Sequence, residues 1–468
     1  LGRNGDEISG YSSGGVEKVN WRRPVIMTLL RLSGSKIPIR YSWLKRHVRK
    51  SEQEICNYEE ERLKELLLYA HNHVPYYHKV LSAYEVVKRG RVHLENFESL
   101  PLLTKELMRG AQEELKSDEL RKRRYYYNTS GGSTAEPVRF IQDKEYWEGD
   151  VAATLLFFSM ASKDVGEPEI KLWGSERDII EGTTGWKTKL QNWLYHRTLL
   201  NSFMMDECEM ERYVCVWNKV KPKVVWSYTD SIYELSRFAE RKALKLYPPA
   251  SVIVTAATLN ESIKRYVEKT LQTRILNQYG SREVGAIACE CLEQKGLHIF
   301  TWRLYVELIN GKCRKVDEGE EGEIIITSLE NYSMPLIRYR IGDMGIAAKE
   351  KCTCGINLRL LQKVTGRITD HFRRIDGGLI HGEYFTHLFY FRPWVKKFQV
   401  VQNEYKLIKI YVVKEGEASL EDMNHIARKI KLVMGEDCQV EFEFVDELRP
   451  TRSGKYLYTI CELDNARA

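Results

Sequence analysis

Val224-Val225-Trp226 and Val252-Ile253-Val254, with the helical stretch Ser231–Leu246 between them, decide the fold class. Short apolar runs that alternate with helical segments argue for parallel strands joined by crossover helices. Working outward, Ile170-Lys171-Leu172-Trp173 on one side and the helical Ser262–Leu271 on the other continue the alternation. Residues 169–275 therefore read as α/β layers.

Towards the N-terminus, Glu145 to Ala161 reads as a helix, and before it comes the strand-like Val138-Arg139-Phe140-Ile141. Leu63, Leu66, Leu67 and Ala70 recur at core spacing within a helical stretch from Ser51 to Leu81, ending near Pro75-Tyr76-Tyr77. Residues 1–20 are Gly/Ser-rich, which points to disorder. Trp21 to Lys50 is basic, with apolar positions interrupted by Gly34 and Pro38. It reads as a solvated helical lead-in, the alternative being a peripheral contact with an anionic membrane.

Towards the C-terminus the texture changes after residue 276. Leu304–Leu308, Gly322–Ser328 and Leu336–Tyr339 are strand-like and turn-separated, a β-rich subdomain. From Phe372 the chain starts again. A hairpin (Phe398–Val401, Ile408–Val413), a helix (Leu420–Met434) and a strand (Gln439–Val445) make a compact α+β unit.

The 468 residues, 43% hydrophobic and 29% charged, can bury more than one core. A net charge of +7 is too mild over this length to select nucleic acid as a partner. Ten cysteines, no signal-peptide pattern and no spanning apolar run predict a cytoplasmic enzyme.

Five segments carry chemistry. Tyr127-Asn128-Thr129-Ser130-Gly131-Gly132-Ser133-Thr134-Ala135-Glu136-Pro137 follows the basic run Arg121–Arg124. Its glycines and hydroxyls suit a phosphate cradle or a polar surface turn, and it lacks the Walker ending. Asn277-Gln278-Tyr279-Gly280-Ser281-Arg282-Glu283 puts an aromatic, a glycine and a carboxylate at a strand end. Leu336–Asp343 puts a carboxylate just after a strand, where two oxygens could accept ribose hydroxyls. Gly366-Arg367-Ile368-Thr369-Asp370 lies at the change of texture, and Arg452-Ser453-Gly454-Lys455 lies near the end.

In this order the segments resemble the adenylate-forming superfamily, closest to its phenylacetate–CoA ligase branch and the related proteins of capsular-polysaccharide clusters. Leu68–Tyr77, Leu100–Lys105 and Met334-Pro335-Leu336 add to the likeness. The resemblance implies a large N-terminal adenylation domain (residues 51–369) of layered sheets and helices, after a lead-in (1–50). A small mobile α+β domain (370–468) would follow. It implies that Thr129, Ser130, Gly131, Gly132, Ser133 and Thr134 hold the ATP phosphates. Tyr279 would pack near the adenine, Glu283 bind magnesium, Asp343 bind the ribose and Arg367 contact the nucleotide. Asp370 would be the hinge. Lys455 would bridge the acid and the α-phosphate, where charge develops. Ala135, Thr255–Leu259 and Gly378–Gly382 depart from the branch, which leaves the acid and its acceptor open.

The implied reaction is ATP-dependent activation of a carboxylic acid, then acyl transfer to CoA. The alternatives are transfer to a carrier-protein thiol or a sugar amine or hydroxyl, and a non-catalytic nucleotide-binding scaffold. Cys352-Thr353-Cys354, with Cys291 and His298 upstream, could bind zinc or be unrelated buried cysteines by spacing alone. Members of the resembled branch carry a similar set, which implies structural zinc, with Cys289 as substitute ligand.

Overall fold

The computed structural model describes residues 20–130, 138–174, 186–202, 205–256, 259–367, 371–375, 379–389, 392–448 and 457–463. Within them the alternation gives strands Glu169–Trp173, Val224–Tyr228, Ser251–Thr255 and Arg274–Ser281. They pair in parallel, with Arg197–Asn201 added beyond Glu169–Trp173.

Helices Glu207–Val220, Thr229–Arg241 and Glu261–Leu271 cover one face. Asp206 and Asn260 cap the first and third by accepting the N–H groups of Glu209 and Ile263. Ile263, Val267 and Leu271, at spacing four and four, bury their stripe with Ile170, Val225, Val252 and Ile275. Val224, Ile253 and Leu276 point the other way, into a core shared with Ala152, Leu156 and Phe157 of helix Lys144–Met160. With both faces covered, strands can be apolar throughout.

Arg274–Ser281 is the pivot. Its other neighbour, Gly285–Glu290, is antiparallel. The sheet then runs on through Leu297–Ile299, Leu360–Arg367, Tyr339–Ala347, Glu321–Ser328 and Leu304–Ile309, eleven strands among the described residues. The β-rich part is thus one half of a continuous sheet.

The lead-in differs from expectation. Trp21 to Lys50 holds two helices, Arg22–Leu32 and Ile37–His47, separated at Gly34, whose φ is +72°. Pro38 falls in a first turn, where a missing N–H costs nothing. Ile26, Ile37, Tyr41 and Leu44 are buried in the same core as helix Lys144–Met160. The segment is part of the body, and its apolar positions look interrupted because two helices share them.

The C-terminal unit has its own core. Val395–Glu404 and Leu407–Lys414 pair antiparallel, with Gln439–Phe444 and Thr459–Cys461 parallel at the edges. Helices Gly382–Phe389 and Leu420–Met434 bury Phe385, Phe389, Ile426 and Ile430 on that sheet. It meets the body at helix Thr229–Arg241, where Arg237 and Arg241 each lie 3.2 Å from Glu415.

Candidate active site

The turn Arg282-Glu283-Val284 joins strands Arg274–Ser281 and Gly285–Glu290 at the edge where the parallel strands end. Gly285 makes the turn possible. Its φ is +71°, and a Cβ there would meet Asp150 Oδ1 at 2.2 Å. Asp150 Oδ1 accepts the Ala286 N–H at 2.9 Å and Arg303 Nη1 at 2.5 Å. Helix Lys144–Met160 is thereby clamped to the turn.

Glu283 is buried, and its Oε1 accepts the Tyr339 hydroxyl at 3.3 Å. The Tyr279 hydroxyl donates to Asp343 Oδ2 at 2.7 Å. Asp343 lies within strand Tyr339–Ala347 rather than just after a strand. The pairing with Glu321–Ser328 slips beside it, and Gly342 adopts a φ of +88°. That bulge turns the carboxylate out of the ladder. Arg367 stands across from Asp343 on the neighbouring strand.

The loop segment is tied to this turn from behind. Strands Tyr125–Thr129 and Arg139–Asp143 form a hairpin. Gln142 Nε2 donates to the carbonyls of Arg282 and Glu283 at 2.9 and 3.1 Å, and its Oε1 accepts from Asn128 Nδ2. Thr129 is exposed, while Ser130 is buried and its hydroxyl oxygen accepts the Val138 N–H at 2.8 Å. The ends of the loop are therefore pinned together. Gly131, Gly132, Ser133 and Thr134, with Asp370 and Lys455, lie outside the described residues, as do residues 1–19.

Gln142 and Tyr339 were not singled out from sequence. Each is an ordinary polar residue in a strand, and only tertiary pairing gives it a role. Three quoted stretches do meet: the Tyr77 hydroxyl donates to the Pro335 carbonyl at 3.0 Å and accepts the Ile337 N–H at 3.1 Å. Leu103 bonds the backbone of Arg338 and Arg340. They brace the strand that carries Asp343.

Along the same edge, Trp173 and Tyr228 end neighbouring parallel strands, with ring centroids 4.2 Å apart, and Trp226 lies 5.3 Å from Trp173. The ends of parallel strands are where open α/β sheets bind ligands.

Cys291, His298, Cys352 and Cys354 converge, their ligand atoms all within 4.8 Å of one another. Cys291 Sγ is 3.5 Å from Cys352 Sγ, and Cys354 Sγ is 3.5 Å from His298 Nε2. Ligand atoms around tetrahedral zinc stand roughly 3.8 Å apart, so the set fits such an ion. Burial pushes the Cys291 and Cys354 thiols up and lowers His298 to about 4. Cys289 is fully buried in the apolar core and is not among the four. The cluster ties the segment between strands Tyr339–Ala347 and Leu360–Arg367 to Leu297–Ile299.

This fold is that of the adenylate-forming enzymes, and the chain is similar to members of their phenylacetate–CoA ligase branch and to a CapK protein. Residues 372–462 match the CapK C-terminal domain family. The chain is 21% identical to Protein CapK of Staphylococcus aureus over 421 residues, 87% of this chain and 89% of that one. It is 25% identical to a phenylacetate-coenzyme A ligase of Thermus thermophilus over 67% of this chain and 70% of that one. A 2-hydroxyisobutyryl-CoA ligase, solved in the postadenylation state with 2-HIB-AMP, is similar in structure. Its TM-score is 0.68 at 17% identity, covering 87% of this chain and 89% of that one.

Proposed function

We propose that the protein activates a carboxylic acid as an acyl-adenylate at the expense of ATP and transfers the acyl group to CoA. The observation that carries this reading is the pair of contacts Tyr279–Asp343 and Tyr339–Glu283, which brings two carboxylates from distant segments to one sheet edge. Asp343, oriented by Tyr279, would accept the ribose hydroxyls. Glu283 would hold magnesium, which offsets phosphate charge. Arg367 would lie against the nucleotide, and the pinned loop from Thr129 would wrap the phosphates. Lys455 would supply the cation at the α-phosphate, with Asp370 as the hinge that moves it. The acid would lie beside Trp173 and Tyr228 on the same edge, which favours an aromatic or apolar acid.

The four-residue cluster at Cys291 would hold one structural zinc, since three thiols and an imidazole leave no open position. Zinc there would fix the hairpin that carries Asp343 and Arg367. Pyrophosphate exchange measured over a panel of carboxylic acids tests the first half of the reaction. Acid-dependent exchange is expected, and AMP release that depends on added CoA would identify the acceptor. Exchange without any acid dependence would overturn the reading.

A further inference from the structure

Two helices far apart in sequence place apolar stripes side by side in solvent. On Arg22–Leu32 and its N-cap, Trp21, Val25, Leu29 and Leu32 are exposed at spacing four, four and three, while Ile26 and Met27 are buried. On Trp186–Tyr195, the exposed positions are Trp186, Leu190 and Trp193, at spacing four and three. Each is one face of a helix.

The stripes meet where the Trp21 and Trp193 rings lie 6.0 Å apart, with the Arg22 guanidinium 4.7 Å from one and 5.7 Å from the other. Helix Ile37–His47 packs on the first and exposes Ile39. Leu32 is 79% exposed and Trp186 70%. Single exposed apolar side chains are ordinary, but two adjoining stripes are not.

Charge indicates what the surface meets. None of the three helices contains an aspartate or glutamate. Arg31, Lys45, Arg46 and Lys189 are exposed on them. Among the described residues, Asp164 pairs with Arg23, Glu145 with Lys36 and Glu330 with Arg40. A second copy of the same face would bring like charges together. Nucleic acid would make no use of the leucines.

We propose that this face docks on an anionic phospholipid bilayer. The tryptophans would sit at headgroup level, the leucines at the acyl boundary, and the lysines and arginines on lipid phosphate. No helix among the described residues is long and apolar enough to cross a membrane, so the contact is peripheral.

Sedimentation of the full chain with vesicles tests this. Binding is expected with phosphatidylcholine containing phosphatidylserine, weakening with salt, and little binding with phosphatidylcholine alone. The double variant Arg31→Glu, Lys189→Glu alters exposed charges and should reduce vesicle binding by about tenfold or more, each basic group near such a surface being worth about 1 kcal/mol. Leu190→Ser should reduce binding as well, with melting unchanged. Equal binding to both vesicles, or no loss in the charge-reversed variant, would overturn the proposal. Dimerisation without vesicles, abolished by Leu190→Ser, would assign the face to a second copy and overturn it too.

Discussion

The edge that holds Glu283 and Asp343 and the surface between body and C-terminal unit are built in opposite ways. At the edge, buried and half-buried side chains fix one another: Tyr279 on Asp343, Tyr339 on Glu283, Gln142 on the turn itself. At the inter-domain surface, Arg237 and Arg241 share Glu415 through half-exposed ion pairs, which are individually weak. The first arrangement resists displacement. The second can be broken and remade, as the proposed domain movement would require. Rigidity thus lies where the nucleotide site is proposed, and the weaker contacts lie at the unit proposed to deliver Lys455.

The sharpest way to break this comparison is Lys455→Ala. If the movable unit supplies a transition-state charge, kcat and kcat/KM for adenylation should fall about 100- to 1,000-fold while ATP still binds. Adenylate formation at the wild-type rate would show that the rigid edge suffices alone.

Next is the metal. Purified protein should contain one zinc per chain, and Cys352→Ser should lose it at a cost of about 2–4 kcal/mol in stability. Metal analysis with calorimetry decides this, and zinc-free wild type of normal stability would remove the metal.

Tyr279→Phe should be milder. It removes one hydrogen bond to a carboxylate, worth about 1.5–3 kcal/mol, so ATP affinity should weaken roughly 10- to 100-fold. Unchanged ATP binding by calorimetry would mean that Asp343 is held by other groups.

The smallest effect concerns pH. Burial pushes the Asp230 carboxyl up to about 7, opposed by the hydroxyl of Tyr458, with Glu234 raising it and Lys397 lowering it. Tyr458 and Lys397, which oppose the shift, belong to the C-terminal unit; if that unit also supplies the burial, docking raises the carboxyl. Its ordinary value is 3.8. A pKa raised by docking favours docking fully below that value, and the benefit disappears as pH rises through about 7. Protection of the inter-domain segment from proteolysis should therefore be stronger at pH 6 than at pH 8. Asp230→Asn should remove the difference, and a persisting difference would exclude Asp230 as its source.

The parts most legible in the sequence were those whose patterns are local. Leu420–Met434 has a helical period and a Ser419 cap, and its bounds agree with expectation. Glu261–Leu271 and the parallel strands were equally readable. Asp343 was misplaced because a bulge depends on the partner strand, which Gly342 alone does not announce. Arg197–Asn201 and helix Trp186–Tyr195 went unread because both are half-exposed and mix polar with apolar residues. Cys291, His298, Cys352 and Cys354 are legible by residue type, but only the pairing of Leu297–Ile299 with Leu360–Arg367 explains how they meet.

Arg40, on the second lead-in helix, pairs with Glu330 at 2.9 Å, and Glu330 also meets the buried Arg303, which grips Asp150 at the Gly285 turn. Cutting the chain at residue 51, where the sequence suggests a boundary, would strip a counter-charge from Glu330. Glu330 would keep Arg303 alone, and a buried acid that loses one of its two counter-charges is destabilised. A shortened protein that begins after the second helix should therefore hold the Gly285 turn less firmly, although the cut lies nearly a hundred residues from the nearest group of that relay, Asp150. Trimming for crystallisation or expression should stop before Trp21.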